Sequence, residues 1–163
     1  FSNFAKLPEA NPQPCRLEQL IKEVIVLYQG AHKKIKFQVD IERELPMMEL
    51  DRDQIKRALI NLVDNAVAAV AGKGVVCVTA RYNPALQSVI LEVSDTGSGL
   101  PEGMTSRLFE PYFSTKKEGT GLGLAIVRKI VTDHQGYIRV AENHPKGTKF
   151  VIELPYERTH LSR

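Results

Sequence analysis

The sequence predicts an α+β sandwich, in which a mixed, mostly antiparallel sheet carries its helices on one face. Three kinds of observation support this prediction. Three segments have apolar residues at helical spacing, and five others alternate in hydrophobicity with a period of two. Their order along the chain is helix, strand, helix, strand, strand, loop, helix, strand, strand. This order gives two pairs of consecutive strands, and the helices then form a second layer on the sheet.

The apolar spacing and the helix-end residues set the helix boundaries. The three predicted helices cover about 17–30, 51–71 and 120–134. Asp51 or Asp53 can cap the second helix, and Gly72 and Gly74 are expected to end it. The first helix stops near Gly30.

The alternating segments predict five strands, at 35–41, 74–82, 88–95, 137–142 and 147–155. In the first of them, the even spacing places Ile35, Phe37, Val39 and Ile41 on one face. The region 96–118 has no clear period and is rich in glycine, serine, threonine, proline and lysine, so it is predicted to be a loop.

Length and composition indicate one ordinary globular domain. The 163 residues include 43% hydrophobic and 25% charged residues, and the formal net charge is +3. This mild charge does not favour nucleic-acid binding, and no apolar run approaches the ~20 residues of a membrane span. Cys15 and Cys77 match no metal spacing and are expected to be free thiols in a reducing compartment. The chain opens at Phe1, and we expect it to be part of a longer protein.

Two asparagines stand in the aliphatic stretch INLVDNAVAAV (60–70). Asn61 and Asn65 are four residues apart, so they share a helix face, where an unpartnered buried amide costs roughly 1–3 kcal/mol. An amide oxygen suits Mg²⁺, which prefers oxygen ligands. The alternative is that both amides bond to neighbouring backbone or to Asp64.

The stretch VSDTGSGL (93–100) places a carboxylate at the end of a hydrophobic strand. Gly97 and Gly99 allow the backbone to turn sharply or to approach a ligand closely. Asp95 can accept a hydrogen bond from the exocyclic amino group of adenine, whereas guanine presents an oxygen there. The alternative is an aspartate that starts a surface turn.

The stretch EGTGLGLAI (118–126) is rich in glycine and leads directly into an apolar helix. Backbone N–H groups at such a helix start bind phosphate. The dinucleotide pattern fails because Leu124 stands where glycine is required, and no Walker lysine motif occurs. A flexible hinge is the alternative.

The stretch RLFEPYFSTKK (107–117) lies between the two glycine motifs. Phe109 and Phe113 can anchor a loop to the body of the domain, and Lys116 and Lys117 can meet phosphates as point charges. Thr148 can reach the adenine edge through water. Solvated surface lysines and an ordinary hairpin residue are the alternatives.

Taken in order, INLVDNA, DTGSGL, FEPYFSTK and GTGLGLAI resemble the N, G1, F and G2 boxes of sensor histidine kinases over 51–155. The nitrogen-regulation group of bacterial two-component kinases is the most similar. The resemblance implies the Bergerat ATP-binding fold of the GHKL superfamily, shared with gyrase, Hsp90 chaperones and MutL. It implies ATP and Mg²⁺ as ligands, and a lid at about 100–118.

The resemblance also assigns roles to residues. Asn65 matches the Mg²⁺ ligand, Asn61 the phosphate-facing polar residue, and Asp95 the adenine reader. Asn61 and Lys116 are the candidates for a catalytic role. The full predicted nucleotide-binding set is Asn61, Asn65, Asp95, Gly97, Gly99, Phe113, Lys116, Gly119, Thr120, Gly121, Leu122, Gly123 and Thr148.

The chain departs from the family pattern in its cations and its histidines. Ala68 and Ala69 replace a frequent Lys-Tyr pair, and Ser114 replaces a frequent arginine; Lys116 or Lys117 is a hypothetical substitute. No phospho-accepting histidine is recognised, because His32, His134, His144 and His160 are interpreted as lacking an adjacent acidic residue and none lies on a helix ahead of the domain.

The resemblance implies three segments and several partners. Residues 1–14 are the end of a dimerisation helix with a proline-rich linker, 15–156 the ATP-binding domain, and 157–163 a polar tail. We expect the domain to phosphorylate a histidine on a separate dimerisation domain of a homodimeric kinase, which then passes the phosphoryl group to a response-regulator receiver domain. We expect no contact with nucleic acid or with a membrane, and a cytoplasmic location, with an inner-membrane anchor elsewhere in the full-length protein as an option.

Two other functions compete with this one. Hydrolysing clamps of the gyrase or chaperone kind carry a glutamate base where this chain has Asn61, and a neutral amide cannot take a proton from water. A non-catalytic nucleotide-sensing docking module is the second alternative.

Overall fold

The computed structural model of the chain describes residues 7–113 and 122–156. These residues form three helices and seven strands. In chain order the elements are β1 (Gln13–Cys15), α1 (Leu17–Gln29), β2 (Ile35–Ile41), β3 (Met48–Leu50), α2 (Arg52–Val70), β4 (Gly74–Asn83), β5 (Ser88–Asp95), α3 (Gly123–Asp133), β6 (Tyr137–Glu142) and β7 (Thr148–Pro155).

The main sheet has five strands in the order β2-β4-β5-β7-β6. Only β2 and β4 run parallel, and the other neighbours are antiparallel. The register places Val78 opposite Val93 and Val93 opposite Phe150, so apolar side chains from adjacent strands form continuous rows. The predicted α+β fold with a mixed, mostly antiparallel sheet is confirmed.

The hydrophobic core lies between one face of this sheet and the helices. Val78 of β4, Leu91 of β5 and Ile152 of β7 are buried on the inner face. Leu62 and Val63 of α2 are buried against them. At roughly 25 cal/mol per Å² of apolar surface removed from water, this contact holds α2, and with it the two asparagines, in a fixed position.

A second sheet of two short strands, which the sequence did not predict, precedes α2. In it, β1 pairs antiparallel with β3, with Gln13 opposite Leu50. Three-residue strands are too short to show a period in the sequence. The strand β3 leads into Asp51, whose carboxylate accepts a hydrogen bond from Gln54 N at 3.1 Å, so Asp51 rather than Asp53 is the cap of α2.

One sequence-based detail was wrong. Gly72 and Gly74 were expected to end α2, but Ala71 occupies the left-handed C-cap position with φ +52°, ahead of Gly72 at φ +94°. Val39, which shares one face of β2 with Ile35, Phe37 and Ile41, is 37% exposed. It is exposed because β2 is an edge strand with a neighbour on one side only.

Within the ranges 7–113 and 122–156, no helix has the length and apolar character that a membrane span requires. Cys15 and Cys77 are free, as the sequence predicted, and burial raises the pKa of both thiols above the ordinary value.

Candidate nucleotide-binding site

One face of α2 carries the predicted polar residues. Asn61 and Asn65 are partly buried, and Ala69 lies a further turn along the same ridge of the helix. The amide nitrogen of Asn61 donates a hydrogen bond to the carbonyl oxygen of Gly123 at 3.3 Å. This bond joins the first half of α2 to the start of α3.

The two asparagines do not use Asp64 as a partner. The Asp64 carboxylate instead accepts a hydrogen bond from the Tyr28 hydroxyl at 2.6 Å. Burial, and after it the bond to Asp64, raises the pKa of Tyr28, so this hydroxyl remains a donor at neutral pH. Among the residues that the structure describes, none forms a hydrogen bond with the Asn65 side chain. Asn65 therefore offers a free amide on this face.

Asp95 ends β5 and is only 2% exposed. One oxygen, Oδ1, accepts hydrogen bonds from Gly97 N at 2.8 Å and from Thr148 N at 3.3 Å. The other oxygen, Oδ2, receives no bond from the described part of the chain. Burial raises the pKa of this carboxyl, and the two backbone N–H groups act in the opposite direction. Asp95 is thus a fixed acceptor with one oxygen available to a ligand.

The turn after Asp95 packs against the end of α2. Ser98 N donates to Ala69 O at 3.2 Å, and a Cβ on Gly97 would overlap the Ala69 carbonyl group. Gly99 has φ +80°, a left-handed conformation that favours glycine. Both glycines are therefore required by the backbone path that brings Asp95 next to the helix.

These contacts make α2 a bridge between two ends of one site. Ala69 contacts the Asp95–Gly97 turn, and Asn61 contacts Gly123. Ala69 and Asn61 are eight residues apart, which is about 12 Å along the helix axis at 1.5 Å per residue. Asn65 lies midway between them. The arrangement can hold a ligand with a hydrogen-bonding base at one end and phosphates at the other.

Two residues of the site were missed by the sequence reasoning. Asn143 donates from its side chain to Asp95 O at 2.7 Å, and its N–H donates to Gly147 O at 3.0 Å. Gly147 has φ +107°, and a Cβ there would overlap the Asp95 carbonyl oxygen. The only signal in the sequence was the turn-rich stretch ENHPKGT, which also suits an ordinary hairpin.

The segment before residue 114 is attached to the body of the domain. The Phe109 ring meets Phe150 edge to face at 6.1 Å, and Leu108 is buried. The Arg107 guanidinium lies 4.6 Å from the centre of the Phe113 ring. The predicted anchoring by Phe109 is confirmed, whereas the nucleotide contact of Phe113 stays a prediction.

Part of the predicted phosphate loop lies outside the described residues, namely Lys116, Gly119, Thr120 and Gly121. The predicted start of the third helix at Thr120 lies there too. In the described part, Leu122 is the residue before α3, Gly123 opens the helix, and His134 follows its last residue.

The prediction that His134 lacks an acidic neighbour is wrong, because Asp133 directly precedes it. The environment of His134 is nevertheless that of a structural residue. The ring is buried, its Nδ1 lies 2.8 Å from Ile130 O, and its Nε2 accepts a hydrogen bond from Asp51 N at 3.0 Å. With both nitrogens engaged, His134 joins the end of α3 to the start of α2. It is not available as a phosphoryl acceptor in this arrangement.

The donor set at α2 fits a magnesium ion that is held largely by phosphates and water. Over residues 7–113 and 122–156, no group of three or more His, Cys, Asp or Glu side chains is placed to hold a metal. Asn65 supplies a neutral oxygen donor without a competing hydrogen bond in that part of the chain. Mg²⁺ in nucleotide sites takes one or two protein ligands and completes its shell with phosphates and water.

Comparisons with known proteins agree with this geometry. The family model described as histidine kinase-, DNA gyrase B-, and HSP90-like ATPase matches residues 50–158. The chain is 34% identical over 155 residues to the signal transduction histidine-protein kinase AtoS of Escherichia coli (strain K12), which covers 93% of this chain and 25% of AtoS. It is 33% identical to the nitrogen regulation protein NtrY of Azorhizobium caulinodans, over 94% of this chain and 20% of NtrY. The chain thus spans a quarter or less of these two relatives.

Solved structures show the same fold. The nucleotide-free catalytic domain of the histidine kinase ThkA superposes with a TM-score of 0.81 at 36% identity, over 89% of this chain and 95% of that one. ThkA in complex with the response regulator protein TrrA superposes with a TM-score of 0.77 at 34% identity, over 91% of this chain and 42% of that one. Full-length ShkA in complex with AMPPNP superposes with a TM-score of 0.83 at 30% identity, over 96% of this chain and 34% of that one.

The matched family model covers most of the core and every element that builds the α2 site. The catalytic domain of ThkA aligns over nearly its whole length. The chain therefore belongs to the family of histidine kinase-, DNA gyrase B- and HSP90-like ATPases, and within it resembles the ATP-binding catalytic domains of sensor histidine kinases.

Proposed function

We propose that this chain binds Mg²⁺-ATP and donates the γ-phosphoryl group to a histidine on a separate dimerisation domain of a two-component sensor kinase. The observation that carries the proposal is the position of Asn61. It lies at the start of α3, at the end of the ridge away from the Asp95 turn, where the last phosphates of a nucleotide would lie, and it is a neutral amide.

Each part of the site has a role in this function. Oδ2 of Asp95 accepts the exocyclic amino group of adenine, while its Oδ1 is held by backbone N–H groups. The backbone from Gly119 to Gly123 and the Lys116 side chain hold the phosphates. Asn65 holds Mg²⁺, which neutralises phosphate charge when it is bound. Phosphoryl transfer depends on this positioning and charge neutralisation more than on covalent chemistry by the protein.

The partners follow from the relatives. ThkA has been solved in complex with a response regulator protein, and the chain is 34% identical to the ThkA of that complex. A receiver domain is accordingly the proposed final acceptor, and a homodimer of the longer protein is the proposed assembly. The cytoplasm, where ATP is available, is the proposed location of the reaction.

A mixing assay tests the proposal directly. The chain is incubated with Mg²⁺, ATP labelled at the γ position, and a separately made histidine-bearing helical hairpin from a sensor kinase of the AtoS or NtrY type. We expect an acid-labile, base-stable label on the hairpin, and no label when its histidine is replaced by glutamine. Release of phosphate without labelled hairpin would instead support an ATP-hydrolysing clamp. ATP binding with neither product would support a nucleotide-sensing module.

Asn65→Ala should lower the affinity for Mg²⁺-ATP on the order of 10-fold or more, because it removes the amide on the ridge that forms no hydrogen bond within residues 7–113 and 122–156 and can hold the metal. Affinity for ADP without metal should change little. Isothermal titration with each ligand measures the difference, and Asn83→Ala, at the end of β4, serves as the control for asparagine truncation. Equal losses for both ligands would contradict the role of Asn65 as a metal ligand.

A further inference from the structure

Arg57 lies on the same ridge of α2 as the two asparagines. The positions Arg57, Asn61 and Asn65 are four residues apart in succession, so their side chains lie in one row. The Asp95 turn meets the far end of this row at Ala69. Arg57 therefore lies beyond Asn61, at the end of the site that is opposite the base pocket formed by Asp95 and its turn.

The three cations of α2 have different surroundings. Arg52 and Lys56 form ion pairs with Glu23 of α1. Arg57 is partly buried, and no carboxylate in the described part of the chain lies within 4.0 Å of its guanidinium. Even Asp53, one helical turn earlier, forms no such pair.

A partly buried guanidinium without a partner carries a desolvation cost that an anionic ligand would offset. The other predicted site residues on α2, β5 and β7 carry no positive charge. Asn61, Asn65 and Thr148 are neutral, and Asp95 is a carboxyl. A nucleoside triphosphate needs cations at its phosphate end, and guanidinium offers five donors in a fork that matches phosphate oxygens.

We infer that Arg57 binds the terminal phosphate of the nucleotide and thereby makes the site prefer a nucleoside triphosphate to a diphosphate. This inference rests on the proposed function, since it takes the bound ligand to be ATP with its base at Asp95. It adds a cation from α2 itself to those of the predicted lid. Because α2 packs into the core, the position of Arg57 is set by the body of the domain.

The test compares ATP with ADP on the chain as it stands. Affinities of wild type and Arg57→Ala for ATP and for ADP are measured by isothermal titration, both with Mg²⁺. We expect the ratio of ATP to ADP affinity to fall on the order of 10-fold in Arg57→Ala, through weaker ATP binding, with ADP affinity within about twofold of wild type. Arg57→Lys should recover part of the ratio, because it restores a point charge without the fork.

Arg52→Ala is the matched control, since it removes an arginine of the same helix that is paired with Glu23. It should leave the ratio unchanged. An unchanged ratio in Arg57→Ala, with or without a lower unfolding midpoint, would overturn the inference and identify the arginine stem as packing only. Failure of the wild-type chain to bind ATP at all would refute the proposed function instead, so the two failures are distinguishable.

Discussion

Asp95→Asn should weaken ATP binding by about 10- to 100-fold without lowering the free energy of unfolding at pH 7. Binding falls because the available oxygen, Oδ2, becomes an NH₂ group, and this donor then faces the donor of the adenine amino group. Stability is retained because the remaining side-chain oxygen of the introduced amide still accepts from Gly97 and Thr148, while a buried charge has been removed.

The pH dependence of stability has the same origin. Burial raises the pKa of Asp95 in the folded state above the ordinary value of 3.8. Between the unfolded and the folded pKa, the folded chain binds more protons than the unfolded chain. The contribution of Asp95 to stability therefore decreases as the pH rises through that window and is lowest above it. Asp95→Asn should abolish this decrease.

Base discrimination provides the sharpest readout. Guanine presents an oxygen where adenine presents its amino group, so the amide of the variant should accept GTP better than the carboxylate does. Titrations of wild type and variant with ATP and GTP give the ratio, and urea unfolding gives the stability. Asp64→Asn is the control, since that carboxylate accepts a bond from Tyr28 outside the pocket. An unchanged ATP/GTP ratio would show that Asp95 does not read the base.

The sequence was sufficient to predict the parts of the site that lie on one element. Asn61 and Asn65 are neighbours through the helical period alone, and Asp95 with Gly97 forms a strand-end turn within three residues. In each case the relevant contacts span only a few residues. Once the helix or strand has been identified, the spacing of residues along it is enough to predict which side chains lie next to each other.

Contacts between distant segments could not be predicted in the same way. The bonds from Asn143 and Thr148 to Asp95 span 48 and 53 residues. They depend on the β5–β7 register, and neither residue has a local pattern that differs from an ordinary turn or strand. The end of α2 was predicted to within one residue, but the residue in the left-handed position was not. Ala71 adopts a left-handed conformation that local sequence preference would assign to the adjacent glycine.

Gly147 illustrates how strongly such a distant contact can constrain one residue. Gly147→Ala should lower the free energy of unfolding by more than about 4 kcal/mol and also weaken ATP binding. Its φ of +107° is strained for alanine, and the new Cβ would overlap the carbonyl oxygen of Asp95. Relief requires that β5 and the β6–β7 turn move apart, which would displace the carboxylate and break the Asn143 bond.

Gly72→Ala separates the cost of backbone strain from the cost of the steric overlap. Gly72 has a similar φ of +94°, but a Cβ there would meet nothing within 4 Å. This variant should therefore carry only the backbone strain, about 1–3 kcal/mol, and should bind ATP like wild type. Urea unfolding of both variants isolates the steric term as the difference between them. If Gly147→Ala does not fold while Gly72→Ala does, the steric overlap at residue 147 is likewise shown to cost more than the backbone strain alone. Equal stabilities would show instead that the chain around Asp95 adapts, and that the base pocket does not depend on the close approach of this turn.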